Sequence, residues 1–129
     1  PWNDEKKLFE EFKDSIYVKH LYGPLFFGFT SHFLNLFKNI DKKIKVLIIR
    51  MDRVPHIDQT GLYAMEETLF DLNKKGLLVV IVGLQSQPED MLRSIDIIPD
   101  LIPEKQLFEN MDIGLSWLKK ELNKDMTTH

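Results

Sequence analysis

The chain has no cysteine among its 129 residues. That excludes disulfides, thiolate chemistry and cysteine-based zinc sites together, and it fits a reducing compartment. It also lacks any apolar run near the ~20 residues that a membrane-crossing helix needs. The longest such run, residues 77–84, is the size of a strand, and no signal peptide is legible at the start. Neither sign of charge dominates: 17 basic and 20 acidic residues give a net charge of -3. Basic residues never form a block. Lys42-Lys43, Lys74-Lys75 and Lys119-Lys120 are isolated pairs that read as solvated helix ends, so no nucleic-acid partner is expected. Glycine and proline number 6 each, and neither a repeat nor a low-complexity tract interrupts the chain. The length predicts one domain, able to bury roughly two thirds of the surface its unfolded form exposes. The chain begins Pro-Trp-Asn rather than Met, which points to a piece of a longer protein.

What is present is an alternation of strand and helix signals. Residues 4–13 carry Leu8, Phe9 and Phe12 among charges, an amphipathic lead-in helix with Asp4 as a candidate cap. Residues 15–22 alternate as a strand. Gly23-Pro24 then supplies a turn, and residues 25–27 return, which predicts an antiparallel hairpin at one edge. From Thr30 or Ser31 the period shifts, and Phe33, Leu36, Phe37 and Ile40 mark a helix with a hydroxyl cap. Residues 46–49 and 77–82 are continuous apolar strands, as expected where both faces of a sheet are covered. Leu62, Met65, Leu69 and Leu72 form one stripe of a helix closed by Lys74-Lys75-Gly76. A short helix is expected at 89–95, entered through Pro88, and a loop at 97–105 around Pro99 and Pro103. A minimal strand follows at 107–108. Met111, Leu115, Leu118 and Leu122 mark a last helix, with Asn110 or Asp112 as its cap. The predicted fold is α/β, with a mostly parallel sheet, an antiparallel N-terminal edge strand and about four flanking helices.

Catalytic signatures are missing. There is no Gly-x-Gly-x-x-Gly, Gly-x-x-x-x-Gly-Lys-Ser/Thr, Gly-x-Ser-x-Gly or His-Glu-x-x-His. The four histidines have no ligand spacing, so neither a metal nor a cofactor is expected. His56 beside Asp58, and Asp52 with Asp58, are the only candidate groupings, and spacing alone does not bring them together. No enzymatic activity is expected.

The informative stretch runs from residue 45 to residue 62. It is a buried strand, a short loop and a small-polar turn opening a helix, the place where open α/β sheets dock ligands and partners. Asp58 or Thr60 can accept from the first helical amides, worth about 1 kcal/mol relative to Ala. Gly61 leaves room for a close approach. Asp58, Gln59, Thr60 and Gly61 are therefore the candidate docking, anion- or nucleotide-binding residues. The same four also read as an ordinary helix cap, and both readings can hold at once. The phenylalanines at 26, 27, 29, 33 and 37 read as core by their period. Ile113 and Trp117 lie one turn apart, off the stripe of the last helix, and form a candidate partner patch.

Four segments carry a resemblance. Residues 22–28, Tyr-Gly-Pro-Leu-Phe-Phe-Gly, resemble an element of domains attached to SulP-type anion transporters. Residues 57–62, Ile-Asp-Gln-Thr-Gly-Leu, resemble a loop–helix signature, residues 76–83 the strand that follows it, and residues 107–114 the last strand and helix start. In this order they are similar to the STAS domain, the sulfate-transporter and anti-sigma-factor-antagonist module. The resemblance implies a lead-in at 1–14 from an upstream membrane domain, a STAS domain at 15–124 and a tail at 125–129. It implies a non-enzymatic domain on the cytoplasmic face of the cell membrane, part of an integral membrane protein that transports an inorganic, sulfate-like anion. Its implied partners are the transmembrane transport domain of the same protein, a second copy, a regulatory protein or a nucleotide. In free-standing relatives a serine that a kinase phosphorylates follows the motif aspartate. Here Gln59 stands there, which weighs against the alternative of a free-standing antagonist. Thr60 is the one hydroxyl left in the turn and the candidate phosphorylation site.

Overall fold

The computed structural model describes residues 3–6, 10, 12, 14–23 and 40–127. Four strands, β1 (Ile16–Tyr22), β2 (Val46–Arg53), β3 (Leu78–Val82) and β4 (Leu107–Phe108), form one sheet in the order β1-β2-β3-β4. Helix α1 (Gln59–Lys74) joins β2 to β3. Helices α2 (Ser86–Ser94) and α3 (Ile97–Asp100) lie between β3 and β4, and α4 (Met111–Thr127) follows. Every pairing is parallel: Ile16 lies opposite Val46, Val46 opposite Leu78, and Ile81 opposite Leu107.

This corrects the expected antiparallel edge. Strand β1 exists where its alternation placed it, but it runs parallel to β2. A parallel partner cannot be reached through a tight turn, and residues 23–45 run between the two strands. Residues 25–27, the expected return arm, and all but Ile40 of the expected helix at 30–40 lie outside the described residues. The lead-in is also different at its start. Residues Asn3–Glu5 form a 3₁₀ turn, and the Asp4 carboxylate accepts from Arg50.

The continuous apolar strands follow from coverage on both faces. Successive strand residues point to opposite sides. Leu47, Ile49 and Met51 of β2, with Val79 and Ile81 of β3, pack with Leu62, Met65, Leu69 and Leu72 of α1, Leu92 of α2 and Ile97 and Ile98 of α3. Val46 and Ile48, with Val80 and Val82, pack instead with Met111, Leu115 and Leu118 of α4. Most of these side chains are essentially inaccessible to solvent. Each stabilises the fold by about 1.5–3 kcal/mol relative to exposure, so the two central strands anchor both layers.

The helix ends match their sequence signals. After α1, Gly76 takes φ +82, its amide reaches the Asn73 carbonyl, and the Leu77 amide reaches Leu72. Those two bonds close a Schellman motif. Asn110 is the cap of α4, its Oδ1 accepting from the Ile113 amide at 3.0 Å. Two boundaries move. Helix α2 starts at Ser86, so Pro88 sits in the first turn, where its missing N–H costs nothing. The expected loop at 97–105 contains the one-turn α3, broken internally by Ile98 in an extended conformation before Pro99.

Candidate functional site

The carboxyl end of β2 leads through Val54 and Pro55 to the tip of α1. Val54 and Ile57 are fully buried and pin the loop to the core, while Pro55 and His56 stay exposed between them. Asp58 has extended backbone at the N-cap position, and its Oδ1 accepts from the Gly61 amide at 2.7 Å. The Asp58 carbonyl accepts from the Leu62 amide at 2.9 Å. The cap expected from the sequence is therefore made by Asp58, leaving the Thr60 hydroxyl outside that role. Gln59 is exposed, Asp58 and Thr60 are half-buried, and Gly61 is buried. The tip surface thus consists of Gln59, part of Thr60, and Tyr63, whose hydroxyl accepts from Gln59 Nε2 at 3.1 Å. The amides of Gln59 and Thr60 have no acceptor among the described residues, which leaves two donors at the positive end of the helix dipole.

Two glutamines from the start of α2 hold this loop, and sequence reasoning missed both. The Gln87 side chain clamps one residue from both sides: its Oε1 accepts from the Ile57 amide at 2.8 Å, and its Nε2 donates to the Ile57 carbonyl at 3.0 Å. Gln85 Nε2 donates to the Asp52 carbonyl at 2.8 Å. A primary amide side chain carries its donor and its acceptor on separate atoms of one plane, so it can satisfy the N–H and C=O of one backbone residue together. The only advance signal was a Gln-x-Gln pair after a strand-ending glycine.

Arg50 was also missed. It lies on the α4 side of β2, is 4% exposed, and binds three carboxylates. Nη1 donates to Asp4 at 2.7 Å and to Glu5 at 2.9 Å, while Nε and Nη2 fork onto Asp52 at 3.1 and 3.0 Å. Glu5, fully buried, also meets His20 Nε2 at 2.8 Å. Burial by itself lowers the Arg50 pKa, but the bonds from Asp52, Asp4 and Glu5 outweigh it and hold the guanidinium above its ordinary range. An arginine in the second half of a buried strand was the available signal, since charge is rarely buried without a partner.

The candidate carboxylate pair does not form. Asp52 is committed to Arg50 and Asp58 to its own helix. Among the described residues no group of three His, Cys, Asp or Glu side chains could hold a metal ion, and no helix is long and apolar enough to cross a membrane. The candidate patch lies on α4. Ile113 is half exposed, whereas Trp117 is partly buried with its ring 5.6 Å from that of Phe108.

Fold and site together define a parallel α/β domain that displays a braced helix tip at the carboxyl end of its sheet. A sequence model of the STAS domain matches residues 10–112, and the chain belongs to the STAS domain family. It is 33% identical over 79 residues to YvdB of Bacillus subtilis (strain 168), a protein named for sulfate transport, covering 60% of this chain and 15% of that one. It is 23% identical over 112 residues to the bicarbonate transporter BicA of Synechocystis sp. (strain ATCC 27184 / PCC 6803 / Kazusa), covering 87% and 20%. The solved STAS domain of a SulP transporter from Vibrio cholerae superposes with a TM-score of 0.74 at 25% identity, covering 92% of this chain and 98% of that one. The chain therefore spans a fifth or less of the length of these two curated relatives.

Proposed function

We propose that this chain is the cytoplasmic STAS domain of a SulP-type inorganic anion transporter and regulates it through contacts at the tip of α1. The observation that carries the reading is the likeness to a SulP transporter's STAS domain over nearly the whole of both chains. Homology to proteins named for sulfate and bicarbonate transport supports it. The tip supplies a physical means. Asp58, Gln85 and Gln87 hold the loop in one conformation, so a partner meets a preorganised surface and loses less entropy on binding. The partner proposed for that surface is the transmembrane transport domain of the same full-length protein, with a second copy or a regulatory protein able to compete for it. The domain itself performs no covalent chemistry.

The test is the natural reading frame and its activity. A frame with multiple apolar spans upstream, whose anion uptake falls when residues 15–124 are deleted, is the expected result. A frame beginning near residue 1 would instead favour a free-standing antagonist. Anion or nucleotide sensing is proposed at the Gln59 and Thr60 amides of the tip, which have no acceptor among the described residues. Isothermal titration with ATP or GTP that gives no heat up to millimolar ligand would remove the nucleotide. Thr60 phosphorylation is proposed as a switch there. It would add about two negative charges within one turn of the Asp58 carboxylate and so disturb the cap. Normal transport by Thr60→Val, with no modification seen by mass spectrometry, would end that idea.

A further inference from the structure

A groove of about 390 Å³ lies between the carboxyl half of α1 and the α2–α3 turn, away from the tip. From Gln59 to Phe70 the helix climbs about 16 Å, at 1.5 Å per residue, so the two surfaces are distinct. Phe70, Ile95 and Leu101 give the groove its apolar lining. Phe70 is 50% exposed. A lone exposed aromatic is unremarkable, but this one continues into two further apolar side chains that are only partly buried. Four carboxylates, Glu66, Glu67, Asp96 and Asp100, line the same groove. None of them makes an ion pair among the described residues, whereas Glu89 and Glu104 nearby both pair with Arg93.

We infer that this groove docks a cationic amphipathic segment of a protein partner, one bulky apolar side chain flanked by Lys or Arg. Charge complementarity selects the occupant. A second copy seated face to face would set four carboxylates against four, and an anionic membrane would be repelled likewise. The carboxylates are too dispersed to hold a metal ion, which suits several separate cations along a peptide. A cation already rests on the aromatic lining: the Lys74 ammonium lies 4.8 Å from the centroid of the Phe70 ring. A partner's Lys or Arg can extend that arrangement while its apolar anchor covers the ring edge, Ile95 and Leu101. The inference stands independently of the transporter reading, since it uses none of the tip residues.

The test is a chemical-shift titration of the isotope-labelled chain with a synthetic amphipathic peptide of Lys and Leu carrying one Phe. The same peptide with Glu in place of Lys is the control. Saturable shifts are expected at residues 66–74 and 95–101, with affinity falling as salt rises. Affinity should fall about tenfold or more in Phe70→Ser and in the Glu67→Lys/Asp100→Lys pair. All three positions are exposed, so the fold survives these changes, as an unaltered spectrum elsewhere verifies. Absence of binding, shifts centred on another face, unchanged affinity in both variants, or equal binding of the Glu peptide would overturn the inference. So would self-association of the chain through the groove.

Discussion

Three carboxylates converge on the guanidinium of Arg50, two of them from a turn some 45 residues earlier in the chain. A buried ion pair adds little net stability when intact, because desolvation offsets attraction. Removing one partner is costly, since the other is left buried and alone. Arg50→Met should therefore cost up to about 3–5 kcal/mol, read as a lowered urea midpoint, because fully buried Glu5 is left with His20 as its one partner among the described residues. Adding Glu5→Leu should recover part of that loss. A midpoint unchanged in the single variant would show that the turn is not held by this cluster. Gly83 is coupled to the same residues. Its φ of +75 already disfavours a side chain, and an added Cβ would lie 2.5 Å from the Asp52 carboxyl carbon. Asp52 is itself fixed by Arg50, so it cannot readily move aside. Gly83→Ala should destabilise by about 1–3 kcal/mol, and thermal unfolding will measure it. At this scale the Asp58 cap was legible, because a capping carboxylate and the amide it serves lie three residues apart. The clusters at Arg50 and Gln87 were not, because long-range polar partners leave no periodic trace.

Among the elements, α1 and α4 were readable because one-sided burial imposes a helical period, and β2 and β3 because burial on both faces makes them continuous apolar runs. Strand β1 was readable as a strand but not in direction. Alternation looks the same in either orientation, and Gly23-Pro24 reads as a hairpin turn whichever way the chain continues. Its parallel pairing is fixed by contacts that the pattern does not contain, such as the Ser15 carbonyl accepting from the amides of Lys45 and Val46. Helix α2 begins three residues before the expected 89, because Pro88 fits within the first turn, where no N–H is needed. Arg93 near the end of α2 binds Glu89 and also reaches across to Glu104, ahead of β4. The guanidinium holds the Glu104 carboxyl below its ordinary value of 4.5. A carboxylate whose pKa is lowered on folding stabilises the fold above its unfolded pKa. That contribution fades as pH falls through the lower folded value. Denaturation midpoints of the native chain and Glu104→Gln should therefore differ slightly near pH 7 and converge well below pH 4.5. The gap is small because both groups are substantially exposed. A gap that persists in acid would assign it to packing instead.

For the whole molecule, one sheet covered by α1, α2 and α3 on one face and α4 on the other brings the β2–α1 loop to the carboxyl edge. Two glutamines and a capping aspartate then fix it there. Fold class and family were legible in the order of four short segments. The acidic groove was not, because its lining comes from α1 and a turn some 25–35 residues later and no local pattern joins them. The proposed function requires the braced helix tip to present its surface to a partner. Gln59 and Tyr63 carry that surface and are both exposed, so replacing them leaves the core intact. The most direct measurement is anion uptake by vesicles containing the full-length protein, comparing native chain with Gln59→Arg/Tyr63→Ala at equal abundance and equal thermal stability. The paired change should alter uptake several-fold. Uptake indistinguishable from the native protein's would contradict it.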